Sequence, residues 1–387
     1  MPSSLSPAET TTISAPRERS ETVRMTIFAG IFTTVLLTST LLVVATWRHF
    51  SGLNGLAWIF VPLVLTLGMV PAILLGFRLR HPLLSAFYKI SAVSLGVLNY
   101  TLFAAVACWL VAGVAAITGM TVNMRAVVFV LFGFAVILTG YGLLNAARLR
   151  ITKINVPLPN LPRSWEGRRI ALVSDIHLGN VRGAGFVRRI VARLNGLKPD
   201  AVLIAGDMFD GAEVDLAAVV QPWEKLSAQH GVYFATGNHD EFSDRRKYLA
   251  ALSQAGIRVL NNEKITVDGL QLVGVHDGEA GNPSVYQAIL QRALIDRASA
   301  SILLTHQPSH LTIPEEAGIS LQVSGHTHGG QFWPWNRVVS RVHGRFAYGL
   351  NRHGKLLVLT SSGAGTWGPP LRVGTKSEIV LITLSAG

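Results

Sequence analysis

His326 and His328 stand one residue apart in Val323-Ser-Gly-His-Thr-His-Gly-Gly-Gln331, directly after an apolar run of Ile319, Leu321 and Val323. The surrounding glycines place the pair on the loop that leaves a strand, where both imidazoles can turn toward one point. Imidazole is a common ligand for divalent transition metals. A lone His-x-His occurs in many ordinary loops, but four other clusters precede this one, each closing a short apolar run. Asp175 and His177 follow Ile170–Ser174, and Asp207 follows Ala201–Ala205 and a glycine. Asn238, His239 and Asp240 follow Val232–Thr236, and His306 follows Ile302–Thr305. Ligand sites in open α/β sheets gather at the carboxyl ends of strands, so five such ends carrying oxygen or nitrogen ligands describe one site. Carboxylate, amide and imidazole without sulfur suit Mn, Fe or Zn. The ligands are too many for one ion. Two ions sharing a carboxylate, about 3.5–4 Å apart, fit better and are the arrangement used for in-line displacement at phosphorus.

Asp175-x-His177, Gly206-Asp207, Gly237-Asn238-His239-Asp240, His306 and Gly325-His326-Thr-His328 together resemble the full signature of the calcineurin-like metallophosphoesterase superfamily. The forms Ser-Asp-Ile-His-Leu-Gly and Gly-His-Thr-His-Gly-Gly-Gln resemble its bacterial membrane-associated branch, which includes phosphodiesterases and UDP-2,3-diacylglucosamine pyrophosphatases. The resemblance covers roughly residues 154–385. It implies an α/β fold, a β-sandwich flanked by helices (αββα), with a dinuclear centre in which manganese is favoured. One ion would be held by Asp175, His177, Asp207 and His328, the other by Asp207, Asn238, His306 and His326. A metal-bound hydroxide would attack phosphorus, with His239 as charge stabiliser or acid for the leaving oxygen and Asp240 orienting it. Asp210 is a candidate to hydrogen-bond a ligand imidazole, and His276-Asp277 is read as supporting structure.

The elements that must position these residues occupy the second half of the chain. Hydrophobic residues make up 49% and charged residues only 14% of the 387, and the excess apolar content lies in the first 150. Residues 1–24 read as a disordered polar tail. Four uncharged stretches then suit transmembrane helices: Met25–Thr46, Gly52–Phe77, Ile90–Met124 and Ala126–Ala147. Lysine and arginine alternate in the flanks: Arg17, Arg19 and Arg24, then Arg48, then Arg78, Arg80 and Lys89, then Arg125, then Arg148, Arg150 and Lys153. That bias puts the N-terminus and everything after residue 150 on the cytoplasmic side of the cell membrane. The spans hold no Asp, Glu or Lys, and Asn99 is the only strongly polar side chain deep in the third, so they read as an anchor rather than a transport path. The only cysteine, Cys108, lies in the third span, which excludes an intramolecular disulfide.

Residues 151–168 are proline-rich and read as an extended linker, and 169–387 form the domain that carries the site. Its eight expected strands are the five already named with Leu270–Val275, Leu356–Thr360 and Ile379–Leu384, the strand before His326 being Leu321–Ser324. Helical patterns fall at about 184–196, 214–228, 244–255 and 284–298. Phe332-Trp333-Pro334-Trp335 followed by Arg337, Arg341 and Arg345 suits either a phospholipid-like substrate and the bilayer surface or a core packed beneath a solvated basic loop. The net charge of +12 partly reflects the flanking bias, and no nucleic-acid motif accompanies it. The expected substrate is a lipid or lipid-linked nucleotide phosphoester, with a soluble nucleotide as the alternative. A membrane metal sensor or scaffold without turnover is the reading outside enzymes.

Overall fold

The computed structural model describes residues 15–241 and 245–387. Most of the expected tail falls on residues 1–14, outside the described residues; from Ala15 the chain is already helical. Five helices come first: α1 (Ala15–Ser51), α2 (Ala57–Leu67), α3 (Met69–Gly76), α4 (Pro82–Thr118) and α5 (Met124–Ala147). The stretch expected as one span around residues 52–77 is α2 and α3, divided at Gly68; Pro62 lies inside α2 without ending it. The four apolar stretches are long and apolar enough to cross a bilayer. Their outward residues are large and apolar, among them Val130, Ile137 and Leu144. Threonines return hydrogen bonds to backbone carbonyls four residues earlier, and Thr40 and Thr66 join α1 to α2 at 3.0 Å. These bonds satisfy polar groups that have no water partner in a bilayer.

Helix α4 is about 55 Å long at 1.5 Å per residue, nearly twice the roughly 30 Å hydrocarbon core. Its second half pairs with α5 through Tyr100, Ala104 and Cys108 against Val128, Phe132 and Ala135. Its first half lies against the following domain, where Ser85 donates to Asn180 Oδ1 at 2.8 Å. Asn99, expected deep in a span, sits at the middle of this long helix.

The second half of the chain folds as two six-stranded sheets. The strands are β1 (Leu149–Leu158), β2 (Arg169–Val173), β3 (Ala201–Ala205), β4 (Val232–Ala235), β5 (Ile257–Val259), β6 (Glu263–Val267), β7 (Leu270–Gly274), β8 (Ser301–Leu304), β9 (Leu321–Ser324), β10 (Gly349–His353), β11 (Leu356–Thr360) and β12 (Ser377–Ala386). The first sheet has the order β1-β12-β2-β3-β4-β5 and the second β10-β11-β9-β8-β7-β6. Their inner faces meet through Ile170, Leu172 and Leu203 on one side and Leu272, Ile302, Leu304, Val323 and Leu359 on the other. Helices α6 (Ala184–Leu197), α7 (Leu216–Val220) and α8 (Arg245–Gln254) cover the outer face of the first sheet. Helices α9 (Asp277–Ala280), α10 (Pro283–Arg292) and α11 (Thr312–Ala317) lie beside the second, and α12 (Trp335–His343) stands apart with no buried residue. The architecture is the αββα sandwich.

Two departures from the sequence reading concern packing. The proline-rich stretch 151–168 is not a free extended linker: Leu149–Leu158 is an edge strand paired in parallel with β12 along its whole length, and Arg163–Trp165 forms a 3-10 turn. Only Arg148 separates α5 from β1. The helix expected over 214–228 is α7 followed by a 3-10 turn, Gln221–Lys225, because Pro222 has no N–H to continue the α-helical ladder.

Candidate metal centre

Strands β2, β3 and β4 are parallel, as are β7, β8 and β9, so each set presents its carboxyl ends at one edge. In the sandwich these two edges coincide. The first sheet delivers Asp175, His177, Asp207, Asn238 and His239; the second delivers His306, His326 and His328. Contacts cross between sheets: His326 N–H donates to Asp175 Oδ1 at 2.9 Å, and His306 Nδ1 lies 2.8 Å from the Ala205 carbonyl.

The loops that carry these residues are conformationally costly. Asp175, His177, Asp207, His326 and His328 all have positive φ, between 51° and 68°. For an L-residue this region costs about 1–2 kcal/mol, and such strain persists only where surrounding contacts impose it. Crowding by the backbone explains the glycines. A Cβ on Gly206, itself at φ 76°, would stand 2.6 Å from Gly237 N and His306 Nδ1; one on Gly237 would stand 2.2 Å from Asp207 Oδ1.

At the centre, Asp207 Oδ2 lies 3.2 Å from His306 Nε2 and 3.7 Å from His177 Nε2, while its Oδ1 accepts the His239 N–H at 2.9 Å. His177 Nε2 and His328 Nε2 face each other at 3.1 Å, and His328 Nε2 is 3.5 Å from Asp175 Oδ1. Among the described residues, three groups have metal-ligand spacing: Asp175-His177-His328, His177-Asp207-His239 and Asp175-Asp207-His306. His326 Nδ1 and Asn238 Oδ1 are 3.0 Å apart at the edge of this cluster. His239 is among the residues brought together, although the sequence reading kept it outside the ligand set.

The donor atoms fit a divalent cation. His177 turns Nδ1 to Asp210 Oδ1 at 3.0 Å and His306 turns Nδ1 to a carbonyl, so in each ring Nε2 offers its lone pair inward. Asp175 Oδ2 is buried without a hydrogen-bond partner, a costly state unless something else satisfies it.

The local field also favours positive charge. Burial opposes charge on both Asp207 and His306. Yet His306, with His177 and His239, holds the Asp207 carboxyl well below the usual range, and Asp207 lifts His306 to about 10. Burial, then the neighbouring His306, pushes His326 down to about 3. Burial lowers His239 and His328 too.

Asp210, expected as a partner for a ligand imidazole, holds His177. Its Oδ1 is also 3.5 Å from His239 Nδ1, so the carboxylate beside His239 is Asp210. Asp240, expected in that role, is turned elsewhere: its oxygens accept the N–H groups of Phe209 at 2.9 Å and Gly237 at 2.8 Å, fastening the β3 and β4 loops together. Burial and the nearby Asp207 push its carboxyl up to about 7. His276 accepts from Thr236 N–H at 3.1 Å, and Asp277 accepts from Gln307 at 3.1 Å.

Arg372 carried no sequence signal, having neither ligand spacing nor motif. It is fully buried. Its guanidinium donates to the carbonyls of His328 at 3.0 Å, Gly365 at 2.8 Å and Ser362. Its own N–H donates to Gly142 O at 2.9 Å, and its carbonyl accepts from Asn145 Nδ2 at 2.9 Å. Gly142 and Asn145 belong to α5, so this residue joins the His328 loop to the apolar helices.

The calcineurin-like phosphoesterase family model matches residues 168–330, the segment holding every candidate ligand. An uncharacterized metallophosphoesterase of Helicobacter pylori J99 is 33% identical over 264 residues, 66% of this chain and 70% of the relative. The chain belongs to the calcineurin-like metallophosphoesterases. A transmembrane protein with metallophosphoesterase domain from Danio rerio is 34% identical over 266 residues, 64% of this chain and 60% of that protein. An uncharacterized metallophosphoesterase of Campylobacter jejuni is 33% identical over 238 residues, 60% of this chain and 63% of that protein. The chain thus spans somewhat under two thirds of these last two relatives.

Proposed function

We infer that the protein is a membrane-anchored phosphohydrolase that cleaves a phosphodiester or pyrophosphate bond with two divalent ions, manganese favoured. The observation that carries this reading is the inward Asp175 Oδ2, buried without a hydrogen-bond partner, beside Asp207 with His306 and the facing imidazoles of His177 and His328. Asp175, His177, Asp207 and His328 would hold one ion, and Asp207, Asn238, His306 and His326 the other. Bound there, the ions supply Lewis acidity toward a phosphoryl oxygen and lower the pKa of water. His239 stands at the rim of the cluster, with burial lowering its pKa, and Asp210 faces its Nδ1. In this reading His239 protonates or steadies the leaving oxygen, and Asp210 positions both it and His177. Asp240 acts through the backbone that presents Asn238 and Asp207.

The favoured substrate is a lipid or lipid-linked nucleotide, because the apolar helices adjoin the site through Arg372 and Asn145. The alternating Lys/Arg flanks support a cytoplasmic placement of the domain. The test uses the full chain in detergent, stripped of metal and reloaded with manganese, against an aryl phosphodiester and an aryl phosphomonoester. Metal-dependent diester cleavage, lost in His239→Ala and His326→Ala, is expected. Metal binding without turnover of either ester or of a lipid pyrophosphate would reject the enzyme reading in favour of a sensor.

A further inference from the structure

Among the described residues, helix α12 is the one helix of the domain that packs no residue into a core. On a helical wheel Trp335, Val338, Val339 and Val342 form one continuous face, with Arg337 and Arg341 opposite. Trp335, Val338 and Val342 are 48%, 44% and 73% exposed, and the preceding Trp333 is 44% exposed. This apolar face is not isolated. Trp335 Nε1 donates to Asn99 Oδ1 of α4 at 2.9 Å, Trp333 lies 5.9 Å from Phe103, and Phe332 packs with Tyr100. These are the residues of α4 where the half docked on the domain gives way to the half paired with α5. From Asn99 to Thr118 the helix is about 30 Å long, one hydrocarbon thickness.

The charge pattern matches this placement. From Gln331 to Lys355 the chain contains Arg337, Arg341, Arg345, Arg352 and Lys355 and no Asp or Glu. The other end of the element touches the site: His343, the last residue of α12, stacks edge-on 6.1 Å from His326. Gln331, four residues before α12 begins, exchanges hydrogen bonds with the backbone of Trp367, an exposed indole 6.0 Å from His239.

We propose that α12 with Trp333 lies in the bilayer interface, its valines and tryptophans among the acyl chains and its arginines against anionic headgroup phosphates. It thereby seats the mouth of the metal centre on the membrane surface. The occupant of the exposed face is lipid, because the face continues a spanning helix and is bordered by cationic side chains only. The consequence for substrate, which rests on the hydrolase reading, is that the scissile phosphoester belongs to a lipid reached from the bilayer plane.

The test uses the full chain, with Cys108→Ala as background, reconstituted in vesicles of phosphatidylcholine and phosphatidylglycerol. Single cysteines replacing Arg337, Val338, Arg341 and Val342 carry an environment-sensitive fluorophore. Labels at 338 and 342 should be quenched by lipids bearing a nitroxide high on the acyl chain and shielded from aqueous iodide; labels at 337 and 341 should show the reverse. Iodide access at all four positions overturns the proposal. Shielding of 338 and 342 from both quenchers also overturns it, by assigning the face to protein, such as a second copy.

A functional arm compares Val338→Asp/Val342→Asp with the parent chain on a diacylglycerol p-nitrophenyl phosphodiester in vesicles and on a soluble aryl diester. Water adds to phosphorus and nitrophenolate leaves in both. The variant should lose about tenfold in kcat/KM on the vesicle substrate and nothing on the soluble one. Equal rates on both substrates would overturn the lipid route. Inactivity of the parent chain on every phosphoester, with the quenching pattern intact, would reject the hydrolase reading alone.

Discussion

The two sheets of the sandwich contribute unlike chemistry to one centre. The first supplies both central carboxylates, Asp175 and Asp207, with His177, Asn238 and His239; the second supplies three imidazoles, His306, His326 and His328, to the ligand groups. Two of the ligand groups, Asp175-His177-His328 and Asp175-Asp207-His306, draw on both edges. Asp207 is held ionised by the second sheet's His306, and Asp175 is held by the His326 backbone N–H. The difference teaches that the centre is a product of sheet-on-sheet packing, with charge on one layer answered by bases and N–H groups on the other.

The most damaging way to break this arrangement is Asp207→Asn, which removes the carboxylate facing His306, His177 and the His239 N–H. We expect more than about a hundredfold loss of manganese-dependent turnover and of metal affinity, read by titration calorimetry and diester hydrolysis. From the other layer, His306→Ala should reduce bound metal while leaving the Asp175-His177-His328 group in place, which metal analysis of the purified chain would reveal. Asp210 and Asp240 sharpen the comparison. Asp210→Asn should cost about 10–100-fold in metal affinity or turnover, as loss of an imidazole's partner does, with little change in melting temperature. Asp240→Asn should lower stability by about 1–3 kcal/mol, because Phe209 N–H and Gly237 N–H lose buried acceptor strength, with a visible drop in melting temperature.

The smallest effect expected is at Asp200, far from the metal edge. Burial works against its charge, but the Arg169 N–H and the Arg168 guanidinium, 2.6 Å away, hold its carboxyl below the ordinary value. A depressed folded pKa contributes stability above the unfolded value and loses it as pH falls through the folded one. Asp200→Asn should therefore narrow the difference between neutral and acid unfolding free energies by only about 0.2–1 kcal/mol, as partly exposed pairs do, read by denaturant unfolding at both pH values.

Much of this was readable residue by residue. Each of the eight expected strands has a counterpart, because short apolar runs bounded by glycine and polar residues encode burial locally. Strand β1 was obscured by Pro157, which reads as a linker. In the structure that residue points outward on an edge strand, where a missing N–H costs no ladder bond, while Val156 and Leu158 are buried. Strands β5, β6 and β10 are short or half-polar and gain their identity from neighbours rather than from their own pattern. The choice between Asp210 and Asp240 depended on which way each loop turns, and residue spacing does not report that.

The types of ligand, their order and their positions after strands were determined by the sequence alone, as were the four apolar stretches, because spacing and hydropathy act over a few residues. Only the tertiary structure decided how those pieces meet. It made Arg372 a link between α5 and the His328 loop, set Leu371 against Gly96 and Gly142, and docked half of α4 on the sandwich. These contacts join residues distant in sequence, 44 positions for Arg372 and His328 and 227 for Asn145 and Arg372, and their energy exists only once both partners are in place.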